Sequence, residues 1–180
     1  MSQNYQHGVF AVLEATENFS PPQTAGTLPF YIGIAPVHQL AQPPKAGEPI
    51  LIRSWRDVTS LLGYSDDYSS FDLSEACYAQ LRSNVQSVAP FGVLNLLDPT
   101  VHQSEEEKSA SITFVGGIAV VQAPLAIYST LKIDSKVLGT DFDASYSEDG
   151  SSLILKDLTG EMTTVDLKYK EVDITKIAAG

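Results

Sequence analysis

The chain has 180 residues, of which 43% are apolar and 18% charged, and carries a formal net charge of −11. That balance belongs to a globular protein with one good core or two small ones, and excludes a disordered chain. It also speaks against nucleic-acid binding, because the only arginines are Arg53, Arg56 and Arg82 and no basic stripe is available to neutralise phosphates.

Residues 1–26 are set apart from the rest. Val9–Leu13 has the apolar character of a strand, while Thr16–Gly26 is polar and holds Pro21-Pro22. Proline fixes φ and removes a donor, so this segment is predicted to be extended and to pack little on its own domain. It lacks the basic and apolar regions of a secretory signal. Two readings stand side by side: a tail without fixed structure, or an arm whose Val9, Phe10, Val12 and Leu13 add a strand to a neighbouring subunit's sheet.

Leu28–Ala35 is a continuous apolar run, which predicts a strand buried on both faces. Gly33 within it marks a close backbone approach or a bulge. Pro36, Pro43, Pro44, Gly47 and Pro49 then interrupt regular structure. Neither Gly26 nor Gly33 has the Gly-Lys-Ser/Thr sequel of a phosphate loop. Ile50–Arg53 is the next strand. Ser54 caps a helix over Trp55–Leu62, with Asp57 as the partner in a capping box. Val58, Leu61 and Leu62 form its apolar stripe and Gly63 ends it. After the polar turn Tyr64–Ser70, Asp72 opens a second helix to Asn84, with Glu75 as its capping-box partner. Leu73, Ala76, Cys77 and Leu81 share one face of it. Pro90 bars its continuation, and Phe91–Leu97 reads as a buried strand. The helical crossover is long enough for that strand to lie parallel and adjacent to Ile50–Arg53.

At Asp98-Pro99 the composition shifts, and the acidic His102–Ser109 segment marks a domain boundary. Beyond it the period becomes two: Val165, Leu167 and Tyr169 alternate with Asp166, Lys168 and Lys170. Asp149-Gly150, between Phe142–Ser147 and Ser152–Lys156, predicts a hairpin with a type I′ turn. Ile112–Val121 and Tyr128–Leu138 supply further strands. The run near Ile112–Pro124 is too short, and too broken by Gly116, Gly117 and Gln122, to cross a membrane. The expected fold class is α+β. A partial α/β core unit over residues 27–99 (strand, strand, two helices, strand) precedes a small antiparallel barrel or sandwich of about five or six strands within residues 100–180.

The chain offers little chemistry. Cys77 is the single cysteine, which excludes an intrachain disulfide and fits a reducing cytoplasm; on an apolar helix face it reads as an inert thiol. His7, His38 and His102 lack metal-ligand spacing. Asp66-Asp67 and Asp141-x-Asp143 read as turn and cap residues without the pattern of a calcium loop. No Gly-x-Ser-x-Gly elbow is present, and Ser129 and Ser135 fall in predicted strand. Trp55, the only tryptophan, is expected to pack against the strand before it. No catalytic, cofactor or metal site is predicted, and the expected role is not enzymatic.

A set of short motifs carries more. They are His7-Gly8-Val9, Gly33-Ile34-Ala35-Pro36, Pro49-Ile50-Leu51-Ile52, Leu62-Gly63-Tyr64, Leu73-x-x-Ala76 and Asn95-x-x-Asp98-Pro99. In this order, across residues 5–99, they resemble the N-terminal part of a contractile phage tail sheath protein, of myoviruses, prophages or phage-tail-like bacteriocins. The resemblance implies a structural subunit of a virion tail or phage-tail-like particle, made in the bacterial host cytoplasm. Its implied partners are other sheath subunits in stacked hexameric rings, the tail tube protein and the baseplate, with neither nucleic acid nor membrane among them. The arm residues Val9, Phe10, Val12 and Leu13 would share a strand with a neighbour, and the β domain would be inserted into the core domain and face outward. Contraction would be a rigid-body rearrangement of subunits. Family members are longer, so the rest of the core domain and a second arm are expected after Gly180. The Leu28–Leu97 half-domain is then expected to show exposed edges and apolar surface. The rival reading is a carbohydrate- or surface-binding β module of a phage-like particle, for which the sequence offers only Tyr128, Tyr146 and Tyr169.

Overall fold

The computed structural model describes residues 27–83 and 89–177. The arm residues Val9, Phe10, Val12 and Leu13, and the predicted helix end at Asn84, lie outside them. The fold is α+β, with a first unit of three strands and two helices and a second unit of six strands.

In the first unit, β1 (Phe30–Gly33), β2 (Pro49–Ile52) and β3 (Phe91–Asn95) form a sheet in the order β1-β3-β2. β3 runs parallel to β1 and antiparallel to β2, so the expected parallel pair of Ile50–Arg53 with Phe91–Leu97 is not formed. The reason is the number of passes. Two helices, α1 (Trp55–Leu61) and α2 (Asp72–Leu81), separate β2 from β3, and an even number of passes returns the chain from the opposite end. Both helices lie on one face of the sheet. Ile52, Val58, Leu62, Phe71, Leu73, Cys77, Phe91 and Val93 close a core between the layers.

The caps divide into one that forms as predicted and one that does not. Asp57 N–H donates to Ser54 Oγ (3.3 Å), and the Asp57 carboxylate accepts from the amides of Ser54 (3.1 Å) and Arg53 (2.9 Å), completing the capping box of α1. The N-cap of α2 is instead Phe71, without a side-chain bond. Asp72 turns away from its own helix and accepts from Ile34 N–H (2.6 Å), while Leu73 N–H donates back to Ile34 O (3.2 Å). A Cβ on Gly33 would strike that Asp72 carboxylate, so the close approach predicted at Gly33 is to α2.

The second unit contains β4 (Lys108–Thr113), β5 (Ile118–Val121), β6 (Lys132–Ile133), β7 (Phe142–Tyr146), β8 (Leu153–Asp157) and β9 (Thr164–Tyr169). They form two three-stranded antiparallel sheets, β4-β9-β6 and β5-β8-β7, neither closed into a barrel. Ile112, Ile133, Leu167 and Tyr169 of one sheet share a core with Phe142, Leu153 and Leu155 of the other, which makes the unit a sandwich.

Local details depart from the expected strands. Ile112–Val121 is two strands, because Gly116 (φ +62°) and Gly117 (φ +80°) turn the chain between Val115 and Ile118. This is the type I′ turn, which needs φ > 0 at both central residues, and it carries the chain from one sheet to the other. At Asp149-Gly150 the hairpin forms with a different turn: only Gly150 has φ > 0. Asp149 accepts instead from the hydroxyls of Ser147 and Ser151 and from Ser151 N–H (3.1 Å), which holds the tip without a left-handed aspartate. Tyr128–Leu138 is not one strand either. It consists of a 3₁₀ turn at Tyr128–Thr130, the two residues of β6, and a turn with Ser135 at φ +60°. Thr130 Oγ1 donates to Ile127 O (2.8 Å), and that local bond stabilises the turn over an extended backbone.

Candidate functional site

The helices cover one face of β1-β3-β2 and leave the other uncovered. Register places Phe30 and Ile32 of β1, Gly92 and Leu94 of β3, and Pro49 and Leu51 of β2 on that second face, with Leu96 following in the same alternation. Ile32 is 64% exposed, Phe30 48%, Leu96 40% and Leu51 37%. The strand predicted to be buried on both faces is therefore an edge strand with one open apolar face. The other edge is β2, so among the described residues neither rim of the sheet pairs with a further strand.

The motifs that fall within the described residues meet in this unit. Buried Asn95 accepts from Ala35 N–H (2.9 Å) and Leu97 N–H (3.1 Å) and donates to Leu97 O (2.8 Å), which ties the end of β1 to the end of β3. Pro49–Ile52 pairs with Phe91–Leu94. Gly63 packs against Pro36 O, Tyr64 N–H donates to Gln39 Oε1 (3.1 Å), and Leu73 bonds to Ile34.

The chain leaves and re-enters the first unit along one path. Gln103 bridges Val172, Ser104 N–H donates to Glu171 O (2.8 Å) and Asp173 N–H to His102 O (3.0 Å). Ile127 and Val172 sit in the first core, with Ile174 and Ile177 against it. His38 completes the junction. It is buried, stacks on Phe71 at 5.4 Å, meets Tyr146 edge-on at 6.0 Å and bonds through Nε2 to Pro124 O (2.9 Å). Burial pulls its pKa down to about 4, partly opposed by the bond to Pro124.

The residues singled out for chemistry are dispersed. Cys77 is fully buried, and burial alone pushes its thiol up to about 12. His102 accepts from Asp98 N–H through Nδ1 (3.0 Å). Ser129 lies in the 3₁₀ turn and Ser135 in a left-handed turn, not in strand. Asp67 and Asp141 accept from Ser69 Oγ (2.5 Å) and Val137 N–H (2.7 Å), as turn residues do. Among the described residues no three His, Cys, Asp or Glu side chains are grouped to hold a metal ion. Of the tyrosines of the β unit, Tyr169 is buried and Tyr146 is tied by its hydroxyl to Ala126 O. Trp55 is partly buried against the first core and also packs edge-on to Tyr64 (4.8 Å) and Tyr78 (6.2 Å), with Arg82 over its ring. Exposed apolar surface on the Leu28–Leu97 half-domain was expected from the resemblance, but the residues that form it, Phe30, Ile32, Leu51 and Leu96, carry no mark in the sequence, because the runs are apolar on both faces.

Comparison with known protein families, curated proteins and solved structures gives no match to this chain.

Proposed function

We propose that the chain serves as a structural subunit of a contractile tail sheath, or as its N-terminal portion, in a phage tail or phage-tail-like particle. The observation that carries this reading is the exposed apolar face of β1-β3-β2, flanked by two edge strands that pair with no further strand among the described residues. A face of this kind is costly to leave in water and marks an assembly surface. It fits a half-domain whose remaining layer is further sheath protein. The open edges suit strand addition by the arm of a neighbouring copy through Val9, Phe10, Val12 and Leu13. Two further features support it. The motifs of the resemblance that fall within the described residues form one contact network, and the β unit departs from and returns to the first core side by side, as an inserted domain does. On this reading the partners are other copies, the tail tube protein and the baseplate.

The test uses the complete subunit in cells that make the particle. Ile32→Lys is solvent-exposed in this chain and is expected to leave its melting temperature unchanged while abolishing the sleeve, so that electron micrographs show naked tubes. Deletion of residues 1–20 is expected to keep the β unit folded and to prevent linkage between subunits. Normal sleeves with both variants would defeat the proposal.

A further inference from the structure

A cleft of about 470 Å³ lies on the seam between the two units, away from the uncovered sheet face. Trp55 and Thr59 of α1, Tyr64 and Asp66 of the following turn, and Tyr78 and Arg82 at the far end of α2 form one side. Glu148 and Asp149, at the tip of the β7–β8 hairpin, form the other. The tip is held in place because Asp66 N–H donates to Asp149 O (2.9 Å) and Gly150 packs on the Tyr64 backbone.

Three rings wall this cleft. Tyr64 and Tyr78 are nearly parallel, with centroids 6.5 Å apart and planes 25° from each other. Trp55 stands across both, at 67° to Tyr64 and 84° to Tyr78. Tyr64 is fixed by its hydroxyl, which donates to Asp66 Oδ1 (2.6 Å) and shares a bond with Tyr68 (2.8 Å). The three rings pack against one another along this wall, Tyr78 is the exposed one of the two tyrosines, and the rim beside them carries three carboxylates. The chain already places one cation there: Arg82 lies 4.3 Å from the Trp55 ring centroid. Among the described residues, none of Asp66, Glu148 and Asp149 has a Lys or Arg nitrogen within salt-bridge distance. A neutral sugar is the poorer match, because it offers no charge to the carboxylates of the rim.

We propose that this cleft binds an organic cation, an alkylammonium or guanidinium group, with Trp55, Tyr64 and Tyr78 as aromatic walls and Asp66, Glu148 and Asp149 as the anionic rim. The cation comes either from a free quaternary amine or from a Lys or Arg side chain of another protein. The site is independent of the assembly role proposed above, so either can fail alone.

Because Trp55 is the only tryptophan, its emission reports this cleft directly. The purified chain is titrated with choline, with the blocked amino acids N-acetyl-arginine amide and N-acetyl-lysine amide, with 3,3-dimethylbutan-1-ol as the neutral isostere of choline, and with a neutral oligosaccharide, all at fixed ionic strength. A saturable change with choline but not its isostere supports a site for quaternary amines, and the same with the blocked amino acids supports a side chain of a partner. Tyr78→Ala is expected to weaken binding about tenfold. Glu148→Gln, at an exposed position that the fold does not need, is expected to weaken it about threefold. The proposal is overturned if the isostere matches choline, if only the oligosaccharide binds, if no cation alters the emission, or if neither variant changes the affinity.

Discussion

His38 gives the sharpest quantitative test of how the two units are joined. Its ring is fully enclosed by Phe71, Tyr146 and Pro124, and its Nδ1 has no hydrogen-bond partner. No charged side chain is among these contacts, and burial keeps the Tyr146 hydroxyl protonated well beyond the usual range. The folded-state pKa of about 4 lies below the ordinary value of 6.5, so the fold favours the neutral ring. Above pH 6.5 the ring is neutral in both states and contributes no pH dependence. As pH falls from 6.5 towards 4 the unfolded chain takes up a proton that the folded chain refuses, and stability falls. At about 1.4 kcal/mol per pH unit, the loss between pH 7.5 and pH 5 is about 2 kcal/mol. In urea, with a slope of about 2 kcal/mol per molar for a chain of this size, the midpoint should drop by about 1 M. His38→Phe keeps a ring against Phe71 and removes the titration. Its midpoint should be lower at pH 7.5, through loss of the bond to Pro124, but nearly flat down to pH 5. The carboxylates held low by their turn hydrogen bonds, such as Asp67 and Asp98, titrate below this window. Equal pH slopes for the two proteins would refute the reasoning.

Three further outcomes are expected. Asn95→Ala leaves the buried amides of Ala35 and Leu97 without an acceptor and should cost about 2–4 kcal/mol in urea unfolding, with a larger m-value change excluded. Gly150→Ala forces a side chain into φ +70° and sets its Cβ 2.5 Å from Tyr64 O, so the hairpin tip should lift and amide exchange at Asp66 should accelerate at least tenfold; unchanged exchange would show that the tip does not depend on that contact. Cys77 should resist thiol reagents at pH 8 until the first core unfolds, and fast labelling of the native chain would contradict its burial.

What the sequence made legible was what local chemistry decides. Ser54 and Asp57 build the α1 cap because both groups lie within one turn, and Leu167 and Tyr169 alternate with polar neighbours because β9 has one wet face. What it hid depends on partners distant in the chain. Asp72 has the look of a cap, yet Ile34 N–H competes for its carboxylate across the sheet. Leu28–Ala35 gives no sign of which face is open, because Phe30 and Ile32 are as apolar as the residues turned inward. Gly116-Gly117 takes φ > 0 at both central residues because glycine does so without steric cost, while Asp149 stays at φ < 0 with serine donors to hold it. The cation cleft was the least visible. Trp55, Tyr64 and Tyr78 follow no shared period and meet only after α1 and α2 fold back on each other.

These contacts limit how the two units can move against each other. The two units have separate cores, but Ile127 and Val172 of the second are inserted in the first, and His38 and the Gly150 tip fasten the seam at two more places. A hinge at His102–Ser109 alone would have to break all of them, including the backbone pairing of Ser104 with Glu171 and of Asp173 with His102. Swinging the β unit is therefore the expensive motion. The inexpensive one lies at the Phe30, Ile32 and Leu51 face and the two sheet edges, which the described residues leave open and where a rigid-body shift of anything docked would disturb neither core. On the proposed reading, contraction changes the contacts between copies and leaves the fold within each copy intact.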